Sequence, residues 1–389
     1  MPGRGRSPGR GRSPVNLLEY LVAMTVLRAV SLATAWVPVA HDRVVLATAR
    51  TSVLEGNLAY LDAAIRAHDP TLKIVHLVHP YGYGLTAKVG YLFRLMRAMV
   101  ELRRARLFIV DNAYLPVHVA RHRSSTTVVQ VWHAASALKR FGRDLPTTIG
   151  PVEGRFLHRH YDHVVASSEF ARQPYAAAFG ISPERIAVTG MPRADLFSDP
   201  VAMAAARTRI LARHPSLKDR TIVVYAPTFR GRGAAKVAST SLDGQRLREL
   251  LPAGHVLVLK AHPNLDPDRT PTDGFDVIVD HDTEINDLLT VTDVLVTDYS
   301  SAIFEYAMLH RPLILLVPDL EDYERLPGLY VDYRTTMIGV QVRDADGVAA
   351  AIKADRFDLS AYEAFIARHL GPADGKASLR FVERFVAPS

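Results

Sequence analysis

No cysteine occurs among the 389 residues, which excludes disulfides, thiolate metal sites and a cysteine nucleophile. The absence fits a reducing interior without requiring one. Long uncharged apolar runs are missing as well. Glu19 and Arg28 interrupt the apolar stretch 15–40, and the run from Tyr20 to Leu27 is eight residues, too short to cross about 30 Å of hydrocarbon. Three glycine signatures are absent: no GxxxxGK[ST], no GxGxxG after a strand and no GxSxG. P-loop kinase, Rossmann dehydrogenase and α/β-hydrolase chemistry therefore lose support. The body of the chain also lacks a strong excess of one charge. Residues 1–14 hold Arg4, Arg6, Arg10 and Arg12 with no acid, leaving 43 basic against 40 acidic side chains elsewhere. The basic balance thus belongs to the tail and does not mark the body as a nucleic-acid binder.

A composition of 48% hydrophobic and 22% charged residues is that of a folded soluble protein, and the length suits two domains. Residues 1–14 form a Gly-Pro-Arg-rich repeat that cannot bury a core and are expected to be a disordered basic tail. Each arginine could add about 1 kcal/mol of attraction to an anionic lipid surface. Residues 15–40 are expected to form an apolar helix that lies on a membrane or packs on the protein, ended by Pro38. A signal peptide is ranked below it, because Glu19 and Arg28 break the apolar core.

From residue 43 short apolar runs alternate with helical stretches. Candidate strands are 44–47, 73–78, 107–110, 127–131, 163–166 and 185–189, then, past a break at 192–200, 221–226, 255–260, 275–279, 294–297 and 313–317. They are β-branched and nearly continuous, as parallel strands buried on both faces are. Helices are expected at 87–104, 202–213 and 302–309, and a last helical segment at 362–387 packing across both domains. The chain therefore divides into an N-terminal α/β domain over 41–197, a second over 198–350 and a helical segment over 351–389. Both domains are expected to be doubly wound and Rossmann-like, facing each other across a cleft.

Ligands of open α/β sheets bind beyond the carboxyl ends of the strands. In the second half those ends carry Thr228 and Arg230, then His262, then Asp298, Ser300 and Ser301 leading into a helix. Strand, small hydroxyl residues, then helix is a phosphate-binding order, although the same serines could simply cap the helix. Glu305 lies one turn on, placed either for a ribose hydroxyl or for an ordinary helix-face salt bridge. Arg230 and His262 would be unremarkable alone; converging with the serines they favour a nucleotide diphosphate. In the first half, the strand at 127–131 runs into Trp132 and His133. A histidine there can serve as a general base or be a satisfied core residue beside Trp132. His158, His160 and His163 resemble a metal cluster. No hydrolytic carboxylate accompanies them, and on a helix His158 and His160 would face opposite sides, so no metal site is expected.

The segments VVQVWHAASALKRFG, VVASSEFAR, VTGMPRADLF, VVYAPTFRG, LVLKAHPNL, DVLVTDYSSAIFEYAMLHRPLILLVPDLEDY and DGKASLRFVERF resemble, in order and spacing, the CDP-glycerol glycerophosphotransferases of teichoic-acid and capsule synthesis. The resemblance runs from about residue 106 to the end. It implies a GT-B fold and a membrane-associated enzyme at the cytoplasmic face, in which an acceptor hydroxyl attacks the β-phosphate of CDP-glycerol and CMP leaves. The acceptor would be lipid-linked or a polysaccharide. By the same resemblance His133 is the base. Arg193, Thr228, Arg230, His262, Ser300 and Ser301 contact the donor, Asp298 shapes the loop, and Trp132 and Lys139 lie on the acceptor side. Ala134, Ala135 and Ser136 stand where many members have Gly, Thr and Pro, and Pro327-Gly328-Leu329-Tyr330 lacks an arginine common there. No tightly bound cofactor is implied; Mg²⁺ on the donor, and homo-oligomerisation, stay open. Rival readings are a CDP-ribitol or nucleotide-sugar donor, and a nonenzymatic membrane or nucleic-acid binder acting through the tail.

Overall fold

The computed structural model describes residues 14–81, 84–145, 157–230, 237–238, 242–260, 272–280 and 282–387. Residues 1–13 of the basic tail, and His262, lie outside them. Two six-stranded sheets carry the fold. The first contains β1 (Ala40–Thr48), β2 (Lys73–Val78), β3 (Ala105–Val110), β4 (Thr127–Gln130), β5 (His163–Ala166) and β6 (Ile186–Val188) in the order β2-β1-β3-β4-β5-β6. All its pairs are parallel. In the second half, β7 (Thr221–Ala226) leads into a short antiparallel hairpin of β8 (Phe229–Arg230) and β9 (Val237–Ala238). The second parallel sheet joins β7 to β10 (His255–Lys260), β11 (Val277–Val279), β12 (Val294–Thr297), β13 (Leu313–Leu316) and β14 (Val340–Val342), in the order β11-β10-β7-β12-β13-β14. This is the GT-B architecture, two doubly wound lobes facing across a cleft.

The apolar runs account for these strands. Val44–Ala47, Phe108–Val110 and Val294–Thr297 are buried along their length, because these central strands are covered on both faces, whereas the edge strands β2, β11 and β14 keep exposed residues. The strand order reverses between β1 and β3 in the first sheet and between β7 and β12 in the second. At such a reversal neighbouring connections leave to opposite faces and open a crevice at the strand ends. β14 and the β8–β9 hairpin are additions to the strands expected from sequence; each is three residues or shorter and carries little periodic signal.

The N-terminal helix runs Pro14–Ala33, ending several residues before Pro38. Met24 and Leu27 anchor it against the helix Leu85–Arg104, and Glu19 accepts from Lys88 Nζ at 2.6 Å. Leu18, Leu21 and Val22 remain exposed, as do Val89 and Phe93 on the neighbouring helix. Among the described residues no helix is long and apolar enough to cross a membrane.

The segment 362–387 is two helices rather than one, Tyr362–Leu370 and Ala377–Phe385. Gly371, at φ +71, breaks it in a left-handed conformation that glycine adopts without strain. The first of these helices stacks Phe365 on Phe304 of the second lobe (centroids 5.4 Å apart), while the His369 carbonyl accepts from Ser167 Oγ of the first lobe at 2.7 Å. The second returns to the first lobe, where Phe381 and Val382 pack with Val44, Leu46 and Ile109.

Candidate active site

The cleft holds a cavity of about 170 Å³ whose walls come from both lobes. On the first lobe its residues follow β1 (Arg50, Glu55, Gly56) and β4 (His133); on the second they follow β7 (Thr228), β11 (Thr283, Glu284) and β12 (Ser300, Ser301), with Lys260 closing β10 and Arg193 entering from the linker. The β7 and β12 ends flank the reversal of the second sheet, which is why Thr228 and the serines meet there. A second cavity of about 210 Å³ beside Asp319, Arg334 and Arg343 is lined by the second lobe alone.

His133 reaches the cleft through a backbone kink. Trp132 sits at φ 50, a left-handed conformation unusual for a bulky side chain. Its N–H donates to Gln130 Oε1 at 2.8 Å and its carbonyl accepts from Asn57 Nδ2 at 2.9 Å. Its ring stacks on Phe141 at 4.8 Å and meets Phe179 edge-on. The kink turns His133 out of the strand direction. His133 Nδ1 lies 3.1 Å from the Asp111 carbonyl, which can only accept, so Nδ1 carries the hydrogen. In the neutral ring Nε2 then holds the lone pair. Trp132 itself is spent in the aromatic cluster and does not line the cavity.

On the second lobe Asp298 is a framework residue. Its carboxylate accepts from Thr228 N (2.9 Å) and Thr228 Oγ1 (3.0 Å) and pairs with Arg230 at 2.9 Å. Arg230 also pairs with Asp319 at 2.8 Å and lies 5.1 and 5.0 Å from the Tyr299 and Tyr323 rings. The acidic partners hold this guanidinium above its ordinary pKa, outweighing burial. Arg230, expected at the donor, is thus absent from the cavity wall, while Asp298, expected to shape the loop, joins it in fastening the β7 and β12 loops to one another. Ser300 and Ser301 do line the cavity. Ser300 Oγ accepts the Ala302 N–H at 3.2 Å, a local cap, whereas Ser301 makes no side-chain cap bond.

Glu305 departs from the ribose role. It is fully buried behind the serines, in the helix Ala302–Ala307. Arg193 Nε and Nη2 donate to its two oxygens at 2.5 and 2.7 Å, and Asn286 adds a bond at 3.1 Å. The salt-bridge alternative applies, because two facing donors satisfy the carboxylate before any ligand could. Arg193 itself lines the cavity. Lys139 stands in the seam between the lobes, bridged to Leu329 through the backbone and 5.6 Å from the Tyr323 ring, with burial pushing its pKa down to about 8.

Sequence reasoning missed Arg50, Glu55, Lys260, Thr283 and Glu284. Lys260 had a legible signal, since a lysine ends the otherwise apolar strand HVLVLK at a position that turns out 5% exposed. Its Nζ donates to the Asp280 carbonyl at 2.5 Å, and burial lowers its pKa to about 8 against the pull of Glu284 and Glu55. Glu55 is shifted upward, first by burial and then by Glu284 across the cleft.

His158 and His160 lie in turns at φ 58 and 65 rather than on a helix. His158 is buried against Tyr161 Oη at 3.3 Å, its pKa lowered to about 3 by burial, and His163 packs on Phe385. Among the described residues no three His, Cys, Asp or Glu side chains group to hold a metal.

Residues 30–387 match the family described as CDP-Glycerol:Poly(glycerophosphate) glycerophosphotransferase, and the chain belongs to that family. It is 31% identical to the teichoic acid ribitol-phosphate primase of Bacillus spizizenii, across 91% of this chain and 93% of that one. It is 35% identical to the teichoic acid poly(ribitol-phosphate) polymerase of the same organism, across 76% of this chain but only 49% of the polymerase, so it spans about half of that relative. The solved wall teichoic acid polymerase TagF superposes with a TM-score of 0.72 over 96% of this chain and 98% of that one, at 20% identity, a likeness of fold.

Proposed function

We propose that this chain transfers glycerol phosphate from CDP-glycerol to a hydroxyl of a lipid-linked or polysaccharide acceptor, releasing CMP, in the synthesis of a teichoic-acid-like polymer. The observation that carries this reading is a single cavity holding an imidazole from one lobe and hydroxyls with cations from the other. The first lobe presents the acceptor and the second holds the nucleotide. Ser300, Ser301, Arg193 and Lys260 bind the two phosphates, with His262 of the same strand-end motif as a further ligand. Lys139 stands on the acceptor side of the seam.

In the reaction, His133 Nε2 takes the proton of the acceptor hydroxyl. The acceptor oxygen bonds to the β-phosphorus, the bond from that phosphorus to the bridging oxygen breaks, and CMP leaves with the electron pair. A phosphodiester remains. Arg193 and Lys260 offset the charge that builds on the leaving phosphate, in a cleft where such charges act more strongly than in bulk water. These groups supply the catalysis without a tightly bound cofactor. The enzyme works at the cytoplasmic membrane surface, docked through the exposed Leu18, Leu21, Val22, Val89 and Phe93, with Arg94 and Arg97 beside them on the second helix.

CDP-ribitol is the second reading, favoured by the likeness to the ribitol-phosphate primase over nearly the full length of both chains. CMP release is measured with each donor and a lipid-linked acceptor, for wild type and His133→Ala. Turnover with one donor, reduced about 10²–10⁴-fold in the variant, is expected. No CMP release from either donor refutes the transferase reading; near-normal kcat in His133→Ala refutes the base.

A further inference from the structure

Asn57 makes bonds that no role described so far uses. It sits in the first turn of the helix Gly56–His68, directly after Glu55 and Gly56 of the cavity wall, and is 3% exposed. Its Nδ2 donates to the Trp132 carbonyl at 2.9 Å and contacts Met191 Sδ at 2.8 Å. Its Oδ1 accepts the backbone N–H of Arg193 at 3.1 Å. These partners fix the amide's orientation, because a carbonyl can only accept and a backbone N–H can only donate. One side chain therefore joins the residue before the base to the linker between the lobes. From Arg193 the connection continues to Glu305, behind the serines, and Asn286 bonds both Glu305 Oε1 and the Arg193 carbonyl (3.1 and 3.4 Å).

Trp132 needs such support. Its left-handed backbone costs on the order of 1–3 kcal/mol unless its surroundings over-determine it. The clamp has two jaws, Gln130 on the N–H and Asn57 on the carbonyl. Gln130 holds the peptide before Trp132 and Asn57 the peptide after it; releasing either lets the Trp132 backbone relax from its left-handed conformation, and the imidazole swings with it. Aspartate, nearly isosteric, could keep the bond from Arg193 N–H but would set an oxygen against the Trp132 carbonyl. Only an amide serves both ends.

We propose that Asn57 is a positioning residue that aims the His133 imidazole and ties that aim to the linker joining the lobes. This rests on His133 being the base. A misplacement of about 1 Å in a reacting group can cost roughly 10²-fold, whereas the donor's phosphates contact other residues. Removing the amide should therefore lower kcat and spare donor binding.

Asn57→Ala, Asn57→Asp and Gln130→Leu are compared with wild type, using whichever of CDP-glycerol or CDP-ribitol the wild type turns over. Thermal melts establish folding, and equilibrium dialysis gives the donor Kd. The expected result is a kcat lowered at least 30-fold with donor Kd within threefold. Asn57→Ala/His133→Ala should be no slower than His133→Ala alone, because residues acting as one unit are not additive. The proposal is overturned if a folded variant keeps kcat within threefold of wild type, if donor affinity falls (Kd rises) by as large a factor as kcat, or if the double variant loses the full product of the two effects. Failure of all three variants to fold assigns the amides to stability and overturns it too. An active His133→Ala enzyme would instead refute the base beneath it.

Discussion

Substituting Glu305 by Gln tests how the lobes are joined. The Glu305 carboxylate is fully buried and the Arg193 side chain is 10% exposed, with three donors on the two carboxylate oxygens. Glutamine keeps the shape but leaves the guanidinium buried without a counter-ion, and turns an N–H₂ toward it. Breaking a buried pair from one side costs about 3–5 kcal/mol, whereas replacing both partners by apolar groups of similar volume is often near neutral. At a urea slope of about 3 kcal/mol/M, that cost lowers the unfolding midpoint by roughly 1–2 M. The series is Glu305→Gln, Arg193→Met and Arg193→Met/Glu305→Leu, followed by circular dichroism. Asp287→Asn is the control, since it breaks the exposed Arg209 pair at 2.8 Å and should cost no more than about 1 kcal/mol. The double variant should be more stable than either buried single variant. A Glu305→Gln midpoint within 0.3 M (about 1 kcal/mol) of wild type, or a double variant below both singles, would refute the reasoning.

Lys260 supplies a pH test. Burial holds its pKa at about 8, below the usual lysine value, so the site loses a positive charge as pH rises from 7 to 9. Donor affinity should fall over that interval, and Lys260→Arg, charged throughout, should flatten the dependence; a retained slope in the arginine variant assigns the effect elsewhere. For the membrane face, Leu18→Asp/Phe93→Asp should cut co-sedimentation with anionic lipid vesicles at least fivefold with CMP release from a soluble acceptor intact, and unchanged sedimentation removes the docking proposal.

Much of the frame was legible because both sheets are parallel and covered on both faces, so their strands read as unbroken apolar runs such as Val44–Ala47 and Val294–Thr297. β14 was not, being three residues that end on a β-branched valine with a glutamine between. At the site, the residues that end or follow strands were visible by position: His133, Thr228, Ser300 and Ser301 all line the cavity. Position could not tell a cavity-facing charge from one spent beneath it. Asp298, Arg230 and Glu305 stand in the right loops, yet each is consumed by a partner remote in sequence, over separations of 68 to 112 residues. Glu55 and Asn57 escaped notice for the opposite reason, because one reaches the cavity and the other lies buried behind it at a helix start after β1, where no motif singled them out.

The backbone passes from lobe to lobe twice, once through the linker at Pro192–Ser198 and again when the terminal helices return to the first sheet. The two passages meet, because Asp195 of the first accepts the N–H groups of Ala377 and Ser378 at the start of the last helix, at 2.9 and 2.8 Å. A single thread would let the halves swivel in any sense. Two threads fastened side by side leave chiefly one motion, a rocking about the line they share. Opening and closing of the cleft then become the two ends of one swing, and severing the chain after Gly371 would free the halves to turn out of register.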